Sequence, residues 1–277
     1  RTDQARQRDV KFISASESDY VLSPQECRHS TLYMEKRAVQ GEPTVFSETF
    51  EYTSCGEWHN LRAEDVLPYD TTTALYKEYT AEREKHIVFS PRLRELAAKL
   101  TAGETNPYLK AKRIFRWIND HFPWASAREY STIENIPEYV LDNRHGDCGQ
   151  VSLLFITLCR ISGIPAHFQS GFMMHPRAWN LHDWAEVYFE GVGWVPVDQS
   201  FGIPAFARNA DEEFFFLGGI DSWRMIVNTD YGMPLQPEKK YPRSETVDFQ
   251  RGEVEWEGGN LYFPQWSYHM DIDYLNY

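Results

Sequence analysis

The run from Cys148 to Ser162 constrains this chain more than any other segment. Val151, Leu154, Phe155, Leu158 and Ile161 recur at three- and four-residue spacing, the period of a helix that buries one face. Both ends are marked. Asn143-Arg144-His145-Gly146-Asp147 reads as a glycine-containing loop, and Gly163 with Pro165 forms a stop that helices commonly use. So apolar a helix needs a packed surround, and it carries Cys148 at its mouth.

That position has chemical meaning. The first turn presents N–H groups without intrahelical partners and a partial positive charge. A thiolate is stabilised there and its pKa lowered, while the same N–H groups can donate to an oxyanion. A free cysteine is more often a small buried hydrophobe, so Cys148 alone decides nothing. Cys159, near the apolar stripe of the same helix, is read as core.

A hairpin downstream supplies the rest. His182-Asp183-Trp184-Ala185-Glu186-Val187-Tyr188-Phe189 alternates as a strand does, Glu190-Gly191-Val192-Gly193 is a turn, and Trp194-Val195-Pro196-Val197-Asp198 returns. Ala185, Val187, Phe189, Val195 and Val197 form an apolar side, while His182, Trp184, Glu186 and Asp198 share the other. Antiparallel partners share a face. A register centred on residue 190 or its neighbour therefore sets His182 opposite Asp198 or one diagonal step away. Both would lie on the side facing away from the packed core. A carboxylate there accepts from one imidazole nitrogen and leaves the other to act on a thiol. Parity sends Asp183 to the opposite face, and Pro196, lacking a backbone donor, marks the return strand as an edge or a bulge.

With these residues in view, the sequence resembles the transglutaminase-like superfamily of papain-fold enzymes. The matching residues are Gly146-Asp147-Cys148, then Leu153-Leu154-Phe155, Leu158-Cys159-Arg160 and Gly163-Ile164-Pro165-Ala166. They continue with His182 to Tyr188 and Gly193 to Asp198. The resemblance is clear from about residue 90 to residue 202, under half the chain. It implies thioester chemistry on an amide carbonyl, with Cys148 as nucleophile, His182 as base and Asp198 as orienter, and no cofactor. Members also use an aromatic or amide side chain upstream of the cysteine to bind the oxyanion. Tyr130 and Trp124 are the candidates, and Tyr130 is the one carried forward. The family's familiar His-Ala-Trp reads His182-Asp183-Trp184 here, so an extra carboxylate adjoins the base. No set of acidic calcium loops is evident, which points to proteases or amidases of the bacterial type rather than calcium-dependent crosslinkers.

The expected fold is α+β: a papain-like, transglutaminase-like core with helices packed on an antiparallel β-sheet, plus β-rich flanking segments. Residues 1–85 read as a β-containing N-terminal appendage and connector, with β-leaning pieces at Thr44–Phe46 and Thr49–Tyr52. Residues 86–277 read as the catalytic domain. Two helices precede the cysteine, one opened by Ser90-Pro91 and one by Asn106-Pro107. Residues 125–147 read as loop, and 245–277 as β-rich.

Charge narrows the partners. A formal net charge of −13 repels a phosphate backbone, so nucleic acid is not expected, and no apolar stretch approaches a membrane span. The four cysteines are too few for a disulfide scaffold; a Cys27–Cys55 bridge is open only if the protein is exported, and the polar start at Arg1 suggests a trimmed export signal. Metal ligation by His145, Cys148, His167, His175 or His182 lacks the usual ligand spacing. The expected partner is a peptide, protein or glycopeptide substrate. Hydrolysis, glutamine acyl transfer to an amine, and non-catalytic glycan or peptide binding on the same fold remain open at this level.

Overall fold

The computed structural model describes residues 6–126 and 128–275. Four strands come first: β1 (Gln7–Ala15), β2 (Tyr20–Leu22), β3 (Leu32–Met34) and β4 (Glu48–Ser54). After the short β5 (Glu57–Trp58) come five helices: α1 (Ala74–Tyr79), α2 (Pro91–Leu100), α3 (Pro107–His121), α4 (Ile136–Asn143) and α5 (Cys148–Ile161). Three longer strands follow as β6 (Ala166–His175), β7 (Ala178–Phe189) and β8 (Gly193–Val197). The chain then forms α6 (Ala210–Glu213), β9 (Gly219–Ile220), β10 (Arg224–Thr229), β11 (Val254–Trp256) and β12 (Gly259–Leu261). These elements divide between two compact units, one of Arg1–Cys55, Gly171–Leu181 and Ser222–Tyr277, the other of Gly56–Ser170 and His182–Asp221.

The second unit is built around α5, which packs against α2, α3 and α4. Leu153, Leu154, Phe155, Ile156, Leu158 and Cys159 are fully buried, so the helix is enclosed on every side. Capping sets where the helices begin. Ser90 and Asn106 each accept from the backbone N–H three residues on, with Pro91 and Pro107 in first-turn positions that need no donor. At α5 the cap is reciprocal. The Asp147 side chain accepts from the Gln150 N–H, and the Gln150 side chain accepts from the Asp147 N–H.

Strands β7 and β8 pair antiparallel with Ala185 opposite Val197 and Phe189 opposite Gly193. The register is centred on residue 191, so His182 and Asp198 stand one diagonal step apart, as parity required. β8 is an edge, the sheet running β10-β6-β7-β8, which accommodates Pro196. The apolar face of the hairpin is fully buried, and so is much of the other: Trp184 and Asp198 have no exposure. The expectation of an open outer face is thus corrected. The Trp184 indole N–H donates to Gln169 Oε1 at 2.6 Å, and His167 Nε2 lies 3.1 Å from Glu186 Oε2, so this face closes over its own polar network.

Two further expectations are revised. Residues 125–147 are not all loop, because α4 occupies 136–143, with Asn135 capping the Glu138 N–H. Among the described residues the C-terminal region is mostly irregular, with β11 and β12 pairing as a ribbon. The first unit has its own core of Phe172, Met174, Met225 and Val227, flanked by Phe50, Tyr52, Leu181, Met270 and Ile272. Gly171 is required there, since a Cβ would meet the Met225 carbonyl oxygen at 1.7 Å. Cys27 and Cys55 are free thiols rather than a disulfide, and the Arg8 guanidinium donates to Cys55 Sγ at 3.0 Å. No helix among the described residues is long and apolar enough to cross a membrane.

Candidate active site

All four residues singled out from the sequence fall in the second unit. Cys148 opens α5. His182 and Asp198 come from the β7–β8 hairpin, and Tyr130 from a short 3-10 turn at Tyr130–Thr132.

His182 Nε2 lies 2.8 Å from Asp198 Oδ2, with His182 6% exposed and Asp198 0%. A carboxylate only accepts, so Nε2 is the donor in this pair. The carboxylate is itself held, since Oδ1 accepts from the Ser200 hydroxyl at 3.2 Å and the Phe201 N–H at 3.1 Å. The imidazole is flanked by Trp184, stacked at 6.1 Å between centroids, and by the Phe201 ring edge-on at 5.4 Å. These contacts fix the ring plane.

At the mouth of α5 the thiol of Cys148 donates to Asp183 Oδ2 at 3.4 Å; its hydrogen bond does not go to His182. Parity took Asp183 away from the imidazole and brought it to the sulfur. Burial pushes the Cys148 thiol well above its ordinary pKa, and the charges of Asp183 and Asp147 push the same way, while the Asp183 N–H pulls back. This direction is opposite to the lowering expected from the helix mouth, and desolvation is its largest cause. His182 is near enough for its charge to act downward on the Asp147 carboxyl, although burial keeps that group above its usual range.

Tyr130 is buried at the same mouth, but its hydroxyl proton goes to Asp147 Oδ1 at 2.6 Å. Gly149 makes the closeness possible. A Cβ there would stand 2.4 Å from the Tyr130 hydroxyl and 2.7 Å from Asp183 Oδ2. Trp124 is 63% exposed and, with Asn119, Gly146, Val151, Gln199 and Ser200, lines a cleft of about 190 Å³. Sequence reasoning passed over Asp147 and Gly149, and it set Asp183 aside. The signals were an acid before an apolar run, a glycine after the cysteine, and a carboxylate where the motif has a small residue. Among the described residues no three His, Cys, Asp or Glu side chains converge as a metal-binding group.

Helices packed on an antiparallel sheet, with a cysteine at the mouth of a buried helix and a His–Asp pair on the adjoining hairpin, define a papain-like fold. Residues 94–199 match the family model of the transglutaminase-like superfamily. Uncharacterized protein YebA of Bacillus subtilis (strain 168) is 26% identical over 129 residues, 40% of this chain and 18% of that protein. A protein-glutamine gamma-glutamyltransferase of Pseudomonas aeruginosa is 23% identical over 125 residues, 41% of this chain and 19% of that protein. The chain thus spans under a fifth of the length of the curated relatives it matches. A solved structure of a candidate cysteine protease from Cytophaga hutchinsonii shares the fold at TM-score 0.56 and 19% identity, over 82% of this chain and 72% of that one.

Proposed function

We propose that this protein is a thiol-dependent acyl-transfer enzyme that attacks amide carbonyls in a peptide, protein or glycopeptide, and that it works as a hydrolase. His182 Nδ1 takes the thiol proton as Cys148 Sγ bonds to the carbonyl carbon. The resulting oxyanion is met by N–H groups of the first turn of α5. The imidazolium then gives its proton to the leaving amine, the C–N bond breaks, and a thioester remains. Water, deprotonated by the same nitrogen, attacks the thioester and releases the acid, and the thiol recovers its proton. Asp198 keeps the ring in the tautomer this needs. Tyr130 serves as a further oxyanion donor only if its hydroxyl turns from Asp147 to the intermediate.

The observation that carries this reading is the buried His182–Asp198 pair, because a carboxylate on Nε2 favours the tautomer in which Nδ1 can act as base toward a thiol. The second reading, transfer to an amine in place of water, is favoured by the name of the Pseudomonas aeruginosa relative.

A panel of electrophilic peptides and glycopeptides tests the nucleophile and narrows the substrate together. Cys148 is expected to be labelled, and His182→Ala is expected to abolish the labelling. Cys148→Ala should abolish turnover of the matching substrate while leaving the fold intact. Residual full activity, or labelling indifferent to His182, would overturn the reading. A labelled primary amine supplied with that substrate separates the two acceptors by the fraction of product that retains the label.

A further inference from the structure

We propose that Asp183 is a positioning residue that orients the Cys148 thiol and keeps its proton on sulfur until the Sγ–Oδ2 contact is broken. The inference rests on Cys148 being the nucleophile of the reading above. Its basis is geometric. Asp183 is 2% exposed on β7, and its Oδ2 lies 3.4 Å from Sγ. Gly149 leaves this oxygen room against the first turn of α5, since any larger residue would place a Cβ 2.7 Å from it. The carboxylate therefore cannot be moved aside by a simple rotamer change of a surface group; it is built into the mouth of the helix.

The consequence follows from charge. A thiol satisfies a neighbouring carboxylate by donating to it, whereas a thiolate beside the same carboxylate is two like charges at contact. Moving the proton from Sγ to Nδ1 of His182 leaves Asp183 anionic, so the ion pair forms against the repulsion of that carboxylate. The charged groups that act on the thiol are Asp183 from β7 and Asp147 at the start of α5; Tyr130 is bonded to Asp147, and His182 acts on the Asp147 carboxyl. Asp147 is held by the Tyr130 hydroxyl and the Gln150 N–H, so it cannot turn to accept from the sulfur without breaking the cap. Asp183 is the carboxylate the thiol uses. A substrate that enters and takes up this oxygen with its own N–H group, or with a cationic group, releases the sulfur at the moment the carbonyl arrives.

The test is the pH dependence of Cys148 alkylation by iodoacetamide, read on the Cys148 peptide by mass spectrometry so that Cys27 and Cys55 do not contribute. Asp183→Asn keeps the shape and removes the charge, and Asp183→Ala removes both; melting curves establish that each is folded. Both variants are expected to move the alkylation midpoint to lower pH, with about tenfold faster reaction near neutrality for each unit moved. A midpoint that stays put or rises in both folded variants overturns the proposal. The readout needs no turnover, so its failure leaves the Cys148–His182 reading standing, and loss of the enzyme reading leaves the Asp183 result interpretable.

Discussion

Asp198 and Asp183 are buried carboxylates of one hairpin, and the chemistry of each is set by which atom it touches. Asp198 holds Nε2 of His182, so replacing it by Asn offers that nitrogen a donor or an acceptor with no charge behind it. The ring then loses its preference for carrying the proton on Nε2, and the imidazolium loses its counter-charge. Turnover of Asp198→Asn is expected to fall by about 10²- to 10⁴-fold in kcat with the melting temperature little changed. Asp183→Asn should cost less, because its partner is the sulfur and not the ring. Steady-state rates on the substrate found by labelling decide this, and the reverse order would remove Asp198 from the role given to it. The two carboxylates also show what the sequence could and could not say. Strand parity paired His182 with Asp198 correctly, because alternation is a local rule. That Asp183 would meet the sulfur depended on where α5 lies against β7, which no local rule contains. The same gap explains the thiol: a helix mouth lowers a cysteine pKa in isolation, but the partial burial of Cys148 and its two acidic neighbours are tertiary facts.

Elements with several turns of apolar periodicity or a strong stop were legible; short ones were not. α2, α3 and α5 begin at Pro91, Pro107 and Cys148, each behind a capping side chain that the sequence displays. α4 escaped notice because its eight residues bury just Ile136, Pro137, Val140 and Leu141, too few to stand out from a loop. Its start is held from outside the helix. His86, buried before α2, accepts from the Ile136 N–H through Nδ1 at 3.3 Å. Only an unprotonated Nδ1 can accept, and burial depresses the His86 pKa from 6.5 to about 4. The sign is definite. The unfolded chain binds this proton near pH 6.5 and the folded protein only near pH 4, so His86 contributes stability above that window and the contribution drains away as pH falls through it. Unfolding free energies from urea titrations between pH 7 and pH 4 should decline by about 3 kcal/mol from this group. His86→Gln, which keeps an acceptor but does not titrate, should flatten that slope. An unchanged slope in the variant would show that His86 does not set it.

The whole molecule carries 41 acidic against 28 basic side chains, for a formal net charge of −13. At this scale the surface repels anions and draws cations over distances set by the ionic atmosphere, about 10 Å at 0.1 M salt and about 3 Å at 1 M. The candidate site repeats the bias, since Asp198 holds the His182 imidazole while Asp147 and Asp183 stand at the Cys148 thiol, and in the proposed reaction that imidazole becomes cationic before it hands its proton on. A substrate whose flanking residues are basic is therefore steered toward the chain and, near Asp183, offered a carboxylate to pair with. Matched peptides that share the scissile amide and differ only in flanking Lys or Glu should separate in kcat/KM, with the basic peptide ahead by about tenfold at low salt. Raising salt from about 0.05 M to about 0.5 M should erase most of that advantage and leave an uncharged peptide nearly unaffected, because screening acts on the encounter and not on the buried chemistry. Equal rates for the two peptides at low salt, or an advantage that survives high salt, would place the preference in contacts within the cleft beside Trp124 instead of in the field of the molecule.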